Sequence, residues 1–155
     1  MPAAAETATV HASAVLAGAR AVLIRGPAGA GKSQLALALI QAAETGLLRF
    51  VRLVGDDRIH LEAHHSRLLV RGAPALAGLL EVRGLGIRRL DYEPIAVVGL
   101  VVDLAAADAE RLPAAGTTVI SGVELPRLAV AAGVSPLPAV LAALRSTAGD
   151  IKPRS

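Results

Sequence analysis

Cysteine and tryptophan are absent from this chain of 155 residues, which has one phenylalanine, Phe50, and one tyrosine, Tyr92. Without cysteine there is neither a disulfide nor a zinc site built on thiolates. The shortage of aromatic rings also argues against a nucleic-acid groove in which bases stack on side chains. Because 54% of the residues are apolar, the core is expected to be aliphatic.

Strong charge and long apolar runs are also missing. The formal net charge is +3 and no basic block occurs, which argues against a nucleic-acid partner. Residues 1–9 lack the basic start of a secretory signal, and the apolar run 12–19 is too short to cross a bilayer. These features predict a soluble, cytoplasmic protein that binds neither membrane nor nucleic acid. The length favours a single domain over 1–155, with flexible termini at about 1–7 and 147–155.

The apolar pattern predicts strands and helices in alternation. Helices are expected at 33–44, which Gly46 ends, at 105–112, and at 136–144, where a proline stands at the start. Strands are expected at 10–16 around His11, at 21–24, at 50–54, and at 95–104 as a central strand. Residues 59–62 and 68–70 read as a hairpin, which makes a purely parallel sheet improbable. The prediction is an α/β fold with a mixed sheet flanked by helices.

The strongest motif is the loop that follows the strand at 21–24. Its eight residues are Gly26, Pro27, Ala28, Gly29, Ala30, Gly31, Lys32 and Ser33, the pattern G-x-x-x-x-G-K-S. In such a P-loop the backbone N–H groups wrap phosphate oxygens, and the helix that follows points its positive end at the same anion. Lys32 would reach the β- and γ-phosphates, and Ser33 would ligate Mg²⁺.

One feature of composition strengthens this match. Of the 16 basic residues only Lys32 and Lys152 are lysines, so lysine occurs where the motif requires it. The alternative, a glycine-rich turn between strand and helix that binds nothing, is much less probable. The sequence therefore predicts a nucleoside triphosphate site of the P-loop kind.

Two adjacent carboxylates, Asp56 and Asp57, follow the strand at 50–54. In P-loop proteins a nearby strand commonly ends in an acid that holds Mg²⁺, and a carboxylate can also serve as a general base. Gly-Asp-Asp is at the same time ordinary turn chemistry, so a solvated turn is the competing interpretation. The residues alone do not decide which of the two acids is the base.

A third segment, residues 80–87, reads Leu-Glu-Val-Arg-Gly-Leu-Gly-Ile. It closely resembles the E-[IV]-R-G-[LI]-G-I signature of the HPr kinase/phosphorylase family. The P-loop, residues 55–58 and His11 are similar to the same family, as are segments 100–104, 110–113 and 122–127. The resemblance covers about residues 8–145 and is closest to the short form, with a catalytic domain only, that occurs in alphaproteobacteria.

The resemblance implies an ATP-dependent kinase that phosphorylates a serine of HPr, the small phosphocarrier of the sugar phosphotransferase system. It also implies phosphorolysis of phosphoseryl-HPr, in which inorganic phosphate is consumed and pyrophosphate released. The family's hexamers imply a homo-oligomer. By matching motif, the P-loop with Lys32 holds ATP, Ser33 and Glu81 ligate Mg²⁺, and Asp57 exchanges the serine proton. Asp56 supports the metal or the base, His11 orients Asp57, and Arg83 builds the loop beside the phosphates.

Two other functions stay open at this point. One is a P-loop kinase of a small metabolite, and the other is a nucleotide-binding regulatory module that has lost catalysis. The acidic pair and Glu81 argue against a pure binder, which needs no base. Outside the site, Asp103 is expected to be a structural strand-end residue and Arg127 to lie on a solvated face.

Overall fold

The computed structural model describes residues 9–109 and 116–146. In that part of the chain ten strands and two α-helices form, with one 3₁₀ turn at Pro74–Leu76. The strands are β1 (Ser13–Ala17), β2 (Arg20–Arg25), β3 (Val51–Gly55), β4 (Ile59–His64), β5 (Arg67–Gly72), β6 (Leu79–Val82), β7 (Gly86–Arg89), β8 (Ile95–Asp103), β9 (Thr117–Ile120) and β10 (Val123–Ala129). The helices are α1 (Lys32–Glu44) and α2 (Leu137–Arg145). Neither helix is long and apolar enough to cross a membrane.

The strands form one mixed sheet and one separate ribbon. The order across the sheet is β3-β1-β2-β8-β10-β9, with β8 parallel to both β2 and β10 and the other pairs antiparallel. The first half of β8 also pairs with β5, which pairs with β4. Strands β6 and β7 form the two-stranded ribbon. The predicted α/β fold with a mixed sheet is therefore confirmed, and β8 is the central strand that the sequence predicts.

The two faces of the sheet carry separate apolar cores because successive side chains of a strand point to opposite faces. In β2, Val22 and Ile24 pack with α1 and α2, whereas Ala21 and Leu23 pack against the side of β4 and β5. Helix α1 contributes Leu35, Ala36 and Leu39 and α2 contributes Val140, all of them buried. Both helices thus lie on one face, and burial of this aliphatic surface is the main force that fixes α1 behind the P-loop.

Most of the predicted elements agree with the structure. The turn of the β4–β5 hairpin lies at His65 and Ser66, whose positive φ angles of 49° and 64° suit a tight hairpin turn. The predicted strand at 10–16 begins instead at Ser13. Val10 exchanges two backbone hydrogen bonds with Ile59 in an isolated bridge, so His11 lies outside the strand.

The predicted helix at 105–112 is wrong where the structure describes it, since residues 105–109 form turns. Ala105 has a φ of 51°, in the left-handed region, which a right-handed helix does not allow. Residues 110–113, part of the family resemblance, lie outside the described ranges.

The hairpin of β9 and β10 was not predicted. It turns at Ser121 and Gly122, both with positive φ, and Ser-Gly was the local signal for it.

Candidate functional site

The P-loop, residues 26–33, connects the end of β2 to the start of α1. Gly29 and Gly31 have φ angles of 80° and 100°, a conformation that glycine adopts without steric cost. Gly31 is the N-cap of α1, and its carbonyl accepts the N–H of Leu35 at 3.0 Å. The positive end of the helix dipole and the free N–H groups of its first turn therefore meet at the loop, which is a favourable place for an anion.

Lys32 lies folded over this loop. Its Nζ donates to the carbonyl oxygens of Gly26 at 2.8 Å and of Pro27 at 3.2 Å. An ammonium group has three donors and no acceptor, and these two carbonyls satisfy two of them. The contact holds the positive charge beside the phosphate cradle predicted from the sequence.

Ser33 forms the second part of the site with Asp56. The Oγ of Ser33 donates to Asp56 Oδ1 at 2.7 Å, and the buried Ser13 donates to the same oxygen at 2.6 Å. Asp56 Oδ2 faces the backbone N–H of Glu81 at a longer 3.4 Å. Asp56 is only 6% exposed, and these donors compensate the burial of its carboxylate. The carboxylate thus joins β1, the start of α1 and β6.

Asp57 points elsewhere, because its backbone is left-handed with a φ of 67°. Its side chain is 67% exposed, and its Oδ1 lies 3.6 Å from Nδ1 of His11, which is 65% exposed. An aspartate tolerates this backbone better than most residues with a side chain. The structure therefore separates the adjacent acids into one buried and one exposed carboxylate. The solvated-turn interpretation does not describe Asp56.

The turn that carries these acids is held close to β5. A Cβ atom at Gly55 would lie 2.8 Å from the Cα of Gly72 and 2.8 Å from a methyl carbon of Ile59. Such distances are well inside van der Waals contact, so a residue larger than glycine would push the strands apart. Gly55 therefore allows the close approach of β3 and β5 that sets the position of Asp56 and Asp57 relative to the P-loop.

The β6–β7 ribbon supplies the remaining predicted residues. Leu80 is fully buried in the core that contains α1, which anchors the ribbon. Its neighbour Glu81 is exposed and, together with Arg83, lines the cleft beside the P-loop. Leu85, in the turn of the ribbon, and Ile87, on β7 opposite Glu81, are 63% and 68% exposed. The ribbon thus forms one wall of the cleft and presents apolar side chains to solvent at its rim.

The cleft between the P-loop and the ribbon has a volume of about 880 Å³, within the range of small-ligand sites. Of the residues predicted for the site, all but Ala30 and Asp56 line it. Those that do are His11, Gly26, Pro27, Ala28, Gly29, Gly31, Lys32, Ser33, Asp57, Glu81 and Arg83. Ala30 lies on the other side of the loop, and Asp56 lies behind Ser33.

The oxygen donors of the cleft fit a magnesium ion better than a metal held by the protein alone. In the described part of the chain, no three His, Cys, Asp or Glu residues are grouped to form a metal site. Ser33 and Glu81 offer a hydroxyl and a carboxylate, and Asp56 stands behind Ser33. Mg²⁺ is commonly bound by one or two protein oxygens together with substrate phosphates and water.

An ion-pair network lies next to the P-loop, at the ends of β2, β8 and β10. Arg25, directly before the loop, makes two hydrogen bonds to Asp103, at 2.7 and 2.8 Å. Arg127 binds Asp103 at 2.5 Å and Asp108 at 2.8 and 2.9 Å. Burial opposes the charge of Asp103, but the hydrogen bonds and charges of the two arginines outweigh it, so the pKa of Asp103 lies below its ordinary value.

Sequence reasoning missed part of this arrangement. Arg127 was expected on a solvated face, yet it is bound to two carboxylates, and these bonds raise its pKa. Ser13 was not singled out, although it is fully buried and contacts Asp56. A signal existed, because Ser13 is the one polar residue in the apolar run 12–17. A polar side chain on a buried strand needs a hydrogen-bond partner.

Comparison with known proteins gives one consistent result. A family model described as "HPr Serine kinase C-terminal domain" matches residues 3–93. The HPr kinase/phosphorylase of Geobacillus thermodenitrificans is 34% identical over 139 residues, which is 81% of this chain and 43% of that protein. That of Levilactobacillus brevis is 39% identical over 84 residues, 54% of this chain and 25% of that protein.

A solved structure is similar as well. The Hpr(Ser) kinase/phosphatase from Coxiella burnetii superimposes with a TM-score of 0.70 at 27% identity, covering 88% of this chain and 93% of that chain. The chain spans less than half the length of the two curated relatives that it matches.

Proposed function

The chain belongs to the HPr serine kinase C-terminal domain family, and on that premise we propose that it transfers the γ-phosphoryl group of ATP to a serine hydroxyl of HPr. One observation carries the proposal. Ser33 of the P-loop is hydrogen-bonded to the buried Asp56, while the adjacent Asp57 faces the same cleft. The loop that would hold the triphosphate and an exposed carboxylate that would act as base thus line one cavity, the combination that transfer to an alcohol requires.

The P-loop would hold the triphosphate through its backbone N–H groups and the N-terminus of α1. Lys32 would exchange its contacts with the carbonyls of Gly26 and Pro27 for phosphate oxygens. The charge needs to move only a short distance, because these carbonyls belong to the loop itself. Phosphoryl transfer depends chiefly on such positioning and on neutralisation of charge.

Ser33 and Glu81 would hold Mg²⁺, which would neutralise charge on the phosphates. The role of Asp56 in this proposal is to orient the Ser33 hydroxyl. Its Oδ1 accepts hydrogen bonds from Ser33 and from the buried Ser13, and this fixes the direction of the Ser33 lone pairs. Hydrogen bonds from residues behind a metal-binding side chain commonly set the geometry of that ligand.

Asp57 is proposed as the base. The serine oxygen of HPr would bond to the γ-phosphorus while the bond to the β–γ bridging oxygen breaks and ADP leaves, and the serine proton would pass to Asp57. Its exposure lets a protein side chain reach it, and His11 at 3.6 Å would orient it. Arg83 would lie beside the transferred group, on the ribbon wall of the cleft.

The same cradle would serve phosphorolysis, which removes the phosphoryl group again. Inorganic phosphate held in the P-loop would attack the phosphorus of phosphoseryl-HPr, giving pyrophosphate and a serine alkoxide that Asp57 protonates. This reaction and a homo-oligomeric assembly are part of the proposal, as is a cytoplasmic location, where ATP is available.

The exposed Leu85 and Ile87 at the rim favour a protein substrate over a small metabolite, since they offer apolar contact outside the cleft.

The direct test is a transfer assay with purified HPr of the same organism, γ-labelled ATP and Mg²⁺, followed by mapping of the phosphorylated residue. The expected product is phosphoserine on HPr, and an HPr variant with alanine at that serine should accept none. Protein that binds ATP with Mg²⁺ but transfers nothing to HPr at any nucleotide concentration would refute the kinase proposal. Release of pyrophosphate from phosphoseryl-HPr and phosphate tests the phosphorolysis separately.

A further inference from the structure

A second pocket lies on the other side of the P-loop from the cleft. Its volume is about 320 Å³, and its walls are the loop residues 27–30, the turn at Leu104 and Ala105 after β8, and residues 130–134 with Pro136 between β10 and α2. Pro27, Ala28 and Gly29 line both this pocket and the cleft. These three residues therefore form a wall that the two cavities share.

The walls of this pocket differ in chemistry from those of the cleft. Every described residue that lines it is Gly, Ala, Pro, Val or Leu, so they offer neither charge nor a polar side chain. The alanines leave room for a flat group to approach the backbone closely. Val134, at the rim, is 58% exposed and is one of the few large apolar residues left open to solvent. Such a pocket suits a flat, weakly polar ring and is unfavourable for phosphate.

We propose that this pocket is the subsite for the base of the nucleotide whose phosphates occupy the P-loop. The inference rests on the proposed function and adds the place and the specificity of base recognition. The occupant follows from the shared wall, because a nucleotide held by residues 27–29 lies against residues that also line the pocket. Val134 packs on one face of the base and the small residues of the loop border it.

The lining also determines how selective the site is. A site that hydrogen-bonds a substrate with placed polar groups rejects an analogue that lacks the matching group by about 10⁴-fold or more, whereas an apolar pocket discriminates far less. Among the described residues that line the pocket, only backbone groups can read the edge of the base. The protein is therefore a nucleoside triphosphate-dependent enzyme with broad base tolerance, and ATP and GTP bind with dissociation constants within about tenfold of each other.

The test compares ADP with inorganic pyrophosphate, both with Mg²⁺, by titration calorimetry. Pyrophosphate shares the phosphates of ADP and has no base, so it reports on the P-loop alone. Ala132→Phe fills the pocket from an exposed position, and Val134→Asn removes apolar contact at its rim. Val119→Asn is the matched control, because Val119 is 65% exposed on β9 and does not line the pocket.

Ala132→Phe is expected to weaken ADP binding at least about tenfold, and Val134→Asn about threefold, with pyrophosphate binding unchanged and Val119→Asn inert. These factors correspond to about 1.4 and 0.6 kcal/mol. Unaltered ADP affinity in both pocket variants, or equal losses for ADP and pyrophosphate, would overturn the base subsite while leaving the phosphate site in place. Dissociation constants of ATP and GTP that differ by more than about a hundredfold would overturn the proposed tolerance for different bases. A wild-type protein that binds neither probe would remove the proposed function and the subsite together.

Discussion

At the scale of single residues, the site depends on two adjacent aspartates that differ in backbone conformation. Asp56 continues from β3 and is buried on Ser13 and Ser33, whereas the left-handed Asp57 turns its carboxylate out to the cleft. In the proposed mechanism, one peptide unit thus joins a group that would orient a ligand to a group that would take a proton. Replacing either acid should therefore impair a different step.

Asp57→Asn tests the proposed base. Asparagine keeps the shape of the side chain and tolerates a positive φ, so the turn is expected to stay intact. Loss of a general base slows the chemical step by about 10²–10⁴-fold, and nucleotide affinity should change little. Transfer rate and ADP affinity are measured together. Asp91→Asn, an exposed acid outside the cleft, is the control. A fully active Asp57→Asn protein would remove the role from Asp57.

Ser13→Ala tests the buried contact behind Ser33. The variant removes one donor to Asp56 in a fully buried position, so the free energy of unfolding should fall by about 1–2 kcal/mol. Because Asp56 loses one of the donors that hold its carboxylate behind Ser33, we also expect a higher Mg²⁺ concentration at half-maximal transfer. Denaturant unfolding and a Mg²⁺ titration measure the two effects. Ser135→Ala, at an exposed serine, should change neither.

The residues with a spaced motif could be predicted, and those without one could not. The P-loop, Asp57, Glu81 and Arg83 carry local patterns, and the structure brings them to one cleft. Ser13 shows locally only as a polar residue in an apolar run, and its partner Asp56 is 43 positions away. A hydrogen bond across that distance depends on how β1 pairs with β3, and a local pattern holds no information on strand pairing.

At the scale of elements, the ends of β2, β8 and β10 are tied together by Arg25, Asp103 and Arg127. Two arginines on one carboxylate neutralise its charge at the strand ends and hold the first residues of the P-loop in register. The apolar pattern predicts each of these strands except β10. It cannot predict the network, because neither parallel pairing nor the position of a distant arginine leaves a periodic signal.

The network should give a defined dependence of stability on pH. The pKa of Asp103 is lowered in the folded state, so its ionisation stabilises the fold fully above the unfolded pKa of 3.8. This contribution disappears as the pH falls below 3.8 toward the lower folded value. Asp103→Asn should cost about 2 kcal/mol at pH 7 and progressively less below pH 3.8. Urea unfolding of the wild-type protein and of Asp103→Asn between pH 2.5 and 7 measures the difference in their free energies of unfolding. A difference that does not change with pH would contradict a stabilising role of the ionised Asp103.

At the scale of the whole molecule, nucleotide binding should stabilise the entire sheet, because the P-loop begins where its central strands end. At a free concentration 100 times the dissociation constant, a ligand adds about 2.7 kcal/mol of stability. For a chain of this length that raises Tm by roughly 5–10 °C. Lys32→Ala should abolish most of the shift, and Arg67→Ala, with the same change of charge in the β4–β5 hairpin, should keep it. The measurement is the Tm of the wild-type protein and of both variants with and without Mg²⁺-ADP.

The parallel pairing of β2 with β8 has a consequence for biosynthesis. Arg25 and Asp103 are 78 positions apart, and Leu104 donates its N–H to the carbonyl of Arg25. On the ribosome, the P-loop sequence is therefore complete long before the strand that borders β2 has been made. Until then one side of β2 is an open edge, the kind of surface that pairs with other chains. A product released before residue 103 would carry the whole phosphate-binding motif without the neighbour that holds it in shape, and such fragments are the form of this protein most prone to aggregate.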